Sequence, residues 1–442
     1  MSKEQQSPGA QNTSERSLAK AVARLFSADV LVAAAGMALS VVVARVGGAD
    51  ELALFALAFA VITVVEILVD FGSDLQVARS IGGSPALTRS VVRDALRFKL
   101  FGGALLVPLF AVGLYVATTA PSDAFFLALS ILLVPARAHA ATSSAALRAL
   151  EATRVLARVQ GIIGVAQFLS AAAVMYLSRN LIDALLAVLI GDLVRALFLR
   201  RALMGVMPTG TKAQAALPLI VGLRRNAGLA FINITSVLNV RAPLFLLDQI
   251  ATRSNVGYYA GAARFINILR MLPGVLFNVL LPGFAAEKGR GRLLRNSLLG
   301  SLAVGVPIAL ALALAAPWLV PWLLGSEFAA SVVVLQILAG RFVIHLLVHV
   351  FEAHLLAAGR ETWVNSVFFG ELALLAVGAL YVLDLFSHAA APRAAELMAW
   401  LTVLTHAISC IALAFLTKLQ LSRRQDFPEP DSSEHSSTRT DT

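Results

Sequence analysis

Apolar runs recur along nearly the whole chain, separated by short polar breaks. Residues 52–67, 100–117, 298–316 and 401–416 are examples. A spanning helix needs about 20 mostly apolar residues, and there are more such runs than one buried core can absorb. Strand-like alternation is absent, so helices, not a barrel, must satisfy the backbone in lipid. Breaks at Gly, Pro and charge clusters divide the chain into twelve predicted spans: 25–46, 52–78, 99–119, 123–147, 159–178, 182–203, 226–248, 256–284, 297–316, 328–356, 363–384 and 394–417.

Composition agrees: 58% of residues are hydrophobic and only 14% charged, against roughly 25% charged in a soluble domain. The net charge of +10 would suggest nucleic acid in a soluble protein. Here the basic residues sit between apolar spans rather than in a domain, which excludes that class. Of the 36 Lys and Arg, Arg45, Arg179, Arg253 and Arg393 fall in loops on one side and six fall inside spans, leaving 26 in the tails and the loops on the other side. Orientation follows this bias, so both termini are expected in the cytoplasm of a cell with the protein in its inner membrane.

The expected organisation is a leader (1–24), a first lobe of six helices (25–203), a cytoplasmic linker (204–225), a second lobe of six (226–420) and a disordered tail (421–442). In the leader, Arg16, Lys20 and Arg24 share one face and Leu18, Val22 and Leu25 another, as in an interfacial amphipathic helix. No small-residue cleavage site follows, so the first apolar run reads as a retained helix rather than a signal peptide. The only cysteine, Cys410, lies in an apolar span and cannot form an intrachain disulfide.

The two halves repeat. Glu51-Leu-Ala-Leu-Phe55-Ala-Leu-Ala opens span two, and Asn255-Val-Gly-Tyr-Tyr259-Ala-Gly-Ala opens span eight, 204 residues later. Leu147-Arg-Ala-Leu-Glu-Ala-Thr-Arg154 closes span four and Leu355-Leu-Ala-Ala-Gly-Arg-Glu-Thr362 closes span ten, an offset of 208. Six spans per half is an even number, so the repeats are parallel, related by an axis along the membrane normal, with a central cavity expected between them. The offset of 204 also sets Glu66 opposite Arg270. Both are then expected at similar depth, facing each other across the cavity or each held by a partner in its own lobe.

These segments carry a family resemblance. Phe55-Ala-Leu-Ala-Phe-Ala, Asp70-Phe-Gly72 and Ala78-Arg79 contribute to it, as do Val256-Gly-Tyr-Tyr-Ala-Gly-Ala-Ala-Arg264 and Leu281-Pro-Gly-Phe-Ala285. Gly325-Ser-Glu-Phe328 and Leu356-Ala-Ala-Gly-Arg360 fit as well. Across residues 15–420 the chain resembles a polysaccharide flippase of the multidrug/oligosaccharidyl-lipid/polysaccharide exporter superfamily. The resemblance implies a two-lobed bundle working by alternating access. Its substrate would be a polyprenyl-diphosphate-linked glycan, carried from the cytoplasmic to the periplasmic leaflet for surface polysaccharide assembly. Membrane lipids and the polysaccharide polymerase and chain-length proteins would be its partners. The alternatives are a drug/cation antiporter of the same superfamily and a membrane polymerase or ligase. The last needs a large external loop with catalytic residues, and no external loop exceeds about ten residues on this map, the spans taking up the rest.

Candidate chemistry lies inside the spans. A buried arginine costs about 2.5–3.5 kcal/mol on insertion scales and mostly faces a cavity or a partner. Six ask for a reason: Arg137, Arg195, Arg241, Arg264, Arg270 and Arg341. Guanidinium forks match the oxygens of a diphosphate, so Arg137, Arg241, Arg264, Arg270 and Arg341 are candidates for a cationic cavity. Arg195 is expected to pair with Asp192. Asn233, Asn239, Asn267 and Asn278 bind sugar hydroxyls or hold helices together. On span ten, Arg341, His345, His349 and Glu352 share a face, as a polar stripe, a proton relay or a metal site. No metal or cofactor is expected, and no phosphate-binding glycine loop is present. Asp29, Glu66 and Glu352 are candidates for coupling or gating. Asp70 and Asp74 are expected to pair with nearby basic residues.

Overall fold

The computed structural model describes residues 8–117, 121–208, 219–286, 290–386 and 393–426. Every regular element among them is helical. In the first half, α1 (Pro8–Asp70) holds spans one and two, and α2 (Ser73–Gly83) completes span two. Then come α3 (Thr88–Ala117), α4 (Pro121–Ser130), α5 (Leu133–Ala149), α6 (Thr153–Ser178) and α7 (Leu181–Val206). The second half runs α8 (Leu219–Ile250), α9 (Arg253–Leu269), α10 (Met271–Ala285), α11 (Arg290–Leu324), α12 (Ala330–Ala357), α13 (Glu361–Phe386) and α14 (Ala394–Asp426).

Ten described stretches are long and apolar enough to cross a membrane. One of them, Ala23–Asp70, doubles back at Gly48, where φ is 75° and ψ −166°. Glycine alone adopts this conformation without strain, so one assigned helix is two spans. The helix α7 carries Asp183, Asp192 and Arg195 and brings the total to twelve. The chain is thus a multi-pass, all-helical membrane protein.

Three spans expected to be continuous are broken. Span two turns at Phe71 and Gly72, both at positive φ. Span four breaks between α4 and α5, and span eight between α9 and α10. The latter two breaks have one cause. Pro135 and Pro273 each lack an amide hydrogen and clash with the carbonyl four residues back, at Ile131 and Leu269. Each proline then sits in the first turn of the next helix, where it is tolerated.

The repeat is visible in the packing. The first half of α1 packs on α6 as α8 packs on α13, α5 packs on α7 as α12 packs on α14, and α3 packs on α4 and α5 as α11 packs on α12. Leu105, Leu109 and Val112 on α3 and Leu310, Leu314 and Trp318 on α11 are exposed, facing lipid.

The lobes are joined at one end and parted at the other. Leu52, Phe55 and Val61 share one buried cluster with Val256, Tyr259 and Phe328. Toward the basic loops the core divides. Val77, Leu147 and Leu199 cluster within the first lobe, whereas Leu355 and Phe368, and separately Leu280 and Phe284, cluster within the second. The side chains of residues 1–22 and all of residues 427–442 lie outside the described residues, as do residues 209–218 of the linker.

Candidate functional site: an arginine-lined cavity between the lobes

The parted end encloses a cavity of about 1120 Å³. One wall is the first half of α1, with Phe26, Asp29 and Met37; the other is α10, with Met271, Gly274 and Val279. From Leu25 to Met37 the α1 wall rises about 18 Å at 1.5 Å per residue, from the basic end to mid-membrane. Arg148, Arg241, Arg264, Arg270 and Asn267 line it together with Asp29. Four guanidinium groups therefore face one carboxylate.

Each arginine is placed by a local device. Arg264 lies over the Phe55 ring, 5.4 Å from its centroid, and so bridges the lobes. Arg241 Nη2 is 3.4 Å from Thr63 Oγ1, again across the lobes. Arg270 stands at the α9–α10 break made by Pro273, and its charged neighbours are Arg341 and Arg241. The N-terminal turn of α10 begins beside it, and a half-helix N-terminus inside a membrane protein favours anions. Arg148 Nε donates to the Ser144 carbonyl. The one acid, Asp29, accepts a 2.8 Å hydrogen bond from Gln160 Nε2.

The far end is sealed. Arg253 bridges Asp123 of the first lobe at 2.8 Å and Asp248 of the second at 3.7 Å. The Ala49 amide donates to Glu327 Oε1 at 3.1 Å, and Ser254 Oγ donates to Asp50 at 2.8 Å. Arg45 donates to the carbonyls of Leu323, at 2.9 Å, and Trp322. A Cβ on Gly257 would lie 2.0 Å from the Ala49 carbonyl oxygen, so only glycine permits this approach. At the basic end the lobes touch through α2 and α8, where Arg79 and Gln76 bond Asn226 and Phe71 meets Phe231 edge-on. The cavity is on the other flank, between α1 and α10.

Several expected site residues are elsewhere. Arg137 does not line the cavity. Its Nε is 3.2 Å from Glu66 Oε2, and the pair closes inside the first lobe. The proposed facing of Glu66 and Arg270 is therefore corrected: Glu66 is held by its own lobe. Arg341 also leaves the cavity. It lies with Asn239, His345 and His349 in a small pocket inside the second lobe. Asn233 is exposed and lines neither site, and the Asn278 side chain is outside the described residues. Asn239 Nδ2 donates to the Phe368 carbonyl at 2.9 Å, a tie between helices.

The second-lobe pocket contains a connected polar chain. Glu371 Oε1 is 2.8 Å from His406 Nδ1, and His406 Nε2 is 3.1 Å from His345 Nδ1. His349 Nδ1 lies 3.7 Å from Glu352 Oε2 at the next turn. Glu371 on α13 and His406 on α14 were not singled out from the sequence, because each stands alone in an apolar span and meets its partner only through the fold. Among the described residues no group of three acidic, histidine or cysteine side chains is arranged to hold a metal ion. Arg195 pairs with Asp192 at 2.5 Å. Asp70 and Asp74 share Lys99 of α3, at 2.8 and 2.7 Å.

Known structures share this architecture. The chain superimposes on an inward-facing multidrug resistance MATE family transporter of the MOP superfamily with a TM-score of 0.64 and 14% identity, covering 91% of this chain and 96% of that one. The lipid II flippase MurJ in an inward closed conformation gives 0.64 at 13% identity, covering 89% and 87%. A MOP superfamily transporter from Pyrococcus furiosus, whose binding pocket is described as having reverse polarity, gives 0.61 at 15% identity, covering 92% and 96%. No curated protein matches the sequence. The family model of polysaccharide biosynthesis proteins matches residues 42–333. That match spans more than half of the chain, and on the MOP-type fold it identifies the protein as a member of the polysaccharide biosynthesis protein family.

Proposed function

We propose that this protein flips a polyprenyl-diphosphate-linked oligosaccharide across the bacterial inner membrane, from the cytoplasmic to the periplasmic leaflet, by alternating access. The observation that carries the reading is the cavity between α1 and α10, where Arg148, Arg241, Arg264 and Arg270 outnumber Asp29. A diphosphate supplies the anionic oxygens such a site lacks, and guanidinium forks bind them in pairs. Asn267 is a partner for sugar hydroxyls. The Lys and Arg bias of the loops supports a cytoplasmic open end, together with cytoplasmic termini. In this orientation the sealed end is periplasmic and the structure is the inward-facing state.

Transport requires the Arg253, Glu327 and Arg45 links to open while the basic end closes. No covalent bond changes, so the work is binding and reorientation. The Glu371–His406–His345 chain is a candidate for coupling to an ion gradient, beside Asp29 and Glu352. An antiporter of cationic drugs is the second reading from this fold. The cavity charge opposes it, because four guanidinium groups repel a cation in a low-dielectric site. Deletion of the gene followed by extraction of lipids tests the proposal: lipid-linked oligosaccharide should accumulate in the cytoplasmic leaflet. Unchanged lipid-linked intermediates with altered drug tolerance would transfer the protein to the antiporter reading.

A further inference from the structure

A second large cavity lies outside the bundle's centre, on the opposite face of α1. It is a groove of about 1080 Å³ between α1 and α6. Its body is apolar, formed by Ala28, Leu31, Gly161, Val165 and Leu169. Its mouth holds three arginines, Arg24 from α1 and Arg154 and Arg158 from α6. Arg154 and Arg158 are exposed and Arg24 is half-buried. Among the described residues none of the three forms an ion pair with a carboxylate.

Local rules oppose this clustering unless an anion is present. Arg154 and Arg158 are four residues apart on one helix face, where like charges repel. Both stand at the start of α6, whose first turn has no acidic residue and no side-chain cap. The positive end of a helix dipole disfavours cations there. The three guanidinium groups nonetheless line one groove. From Arg158 to Leu169 the apolar wall runs about 16 Å at 1.5 Å per residue, close to half of a hydrocarbon core about 30 Å thick. The groove therefore has the depth of one leaflet, with its charges at the headgroup level.

We infer that the α1–α6 groove seats an anionic phospholipid of the leaflet at the basic end, with the phosphate held by Arg24, Arg154 and Arg158 and one acyl chain lying against Gly161 and Leu169. Charge complementarity selects the headgroup, and the leaflet-deep apolar body selects a lipid over a free phosphate. The site is separate from the arginine cavity: α1 stands between them, presenting Asp29 to one and Ala28 to the other. The inference does not rest on the transport reading.

Native mass spectrometry of the purified full chain tests it, using titration with phosphatidylglycerol and, separately, with phosphatidylcholine of the same acyl chains. Phosphatidylglycerol should form the tighter one-to-one adduct. Arg154→Gln with Arg158→Gln should weaken it about thirtyfold, as expected for two interfacial charges. Ala166→Trp, which fills the groove and leaves the charges, should also weaken it. Arg292→Gln with Arg295→Gln, the equivalent removal at the start of α11, should leave it within about twofold, since charges outside the groove contribute only a diffuse surface potential. Equal binding of the two lipids would overturn the inference, as would equal loss in the α11 variant or no effect of Ala166→Trp. Displacement by polyprenyl diphosphate but not by excess phosphatidylglycerol would overturn it too and assign the groove to the isoprenoid carrier.

Discussion

Replacing Arg264 by alanine isolates the cavity's role. This side chain reaches from α9 across the lobe boundary to the Phe55 ring. Its removal deletes one of four guanidinium groups and one cation–π contact. The two losses differ in size. The ring contact is worth about 0.5–1 kcal/mol, or up to about 2 when desolvated. A charge-assisted hydrogen bond to diphosphate is worth about 1.5–3 kcal/mol. The alanine variant should therefore lower apparent affinity for a polyprenyl-diphosphate glycan by about 10- to 100-fold, with membrane abundance near normal. Arg264→Lys keeps the charge but not the fork and should recover part of the loss. Phe55→Leu removes the ring and keeps the arginine, and at up to about 2 kcal/mol its effect should stay below about thirtyfold and below that of Arg264→Ala. The assay is uptake of lipid-linked oligosaccharide into the protected leaflet of proteoliposomes over a range of substrate concentrations. If Phe55→Leu matches Arg264→Ala, the arginine is a packing element and the binding argument is wrong. Full activity of Arg264→Ala would remove the residue from the site altogether.

Other consequences follow from the same geometry. Lys99→Met removes a buried cation and leaves Asp70 and Asp74, both half-buried, beside each other; breaking a fully buried ionic group typically costs about 3–5 kcal/mol, so thermal unfolding in detergent should show a clear loss at or below that range, and an unchanged midpoint would refute the Lys99 clasp. Glu66→Arg with Arg137→Glu should restore part of what either single reversal loses, because these two pair within the first lobe. Pairing of Glu66 with Arg270 would instead be indicated by rescue in the Glu66→Arg, Arg270→Glu combination. Glu327→Gln with Arg253→Gln removes links at the sealed end. In a Cys410→Ala background, it should slow labelling of a Met37→Cys cavity probe from the basic side. Faster labelling would contradict the assignment of these residues as a seal.

Much of this arrangement can be read from residues in order along the chain. Gly48, with charged residues near it, marks a reversal between two apolar runs, and Pro135 and Pro273 mark helix breaks that an apolar count alone runs through. The Arg and Lys asymmetry separates the two ends, and the offset of 204 residues between Phe55 and Tyr259 corresponds to a repeat seen in the packing of helix pairs. Depth along a span also follows from counting, which places Arg264 and Arg270 within the bilayer. Facing is not encoded the same way. Arg137 and Arg341 lie on corresponding spans of the repeat, four and ten, yet one closes on Glu66 and the other joins a histidine cluster. Which of these occurs depends on side chains one or more spans away. The same holds for Glu371 and His406, which become a pair only when α13 packs on α14. Arg148 is similar: it closes a span in the sequence, and only the separation of α1 from α10 turns it toward the cavity.

Passage of a lipid-linked anion through the arginine cavity is measured directly by reconstitution. Purified protein is incorporated into liposomes containing polyprenyl-diphosphate oligosaccharide, and the fraction of glycan accessible to an external glycosidase is followed with time. Protein-containing vesicles should expose glycan from both leaflets, while protein-free vesicles and vesicles with Arg241→Ala, Arg264→Ala and Arg270→Ala combined should expose only the outer half. Equal protection in wild-type and protein-free vesicles, under whatever ion gradient is imposed, would contradict passage through the cavity.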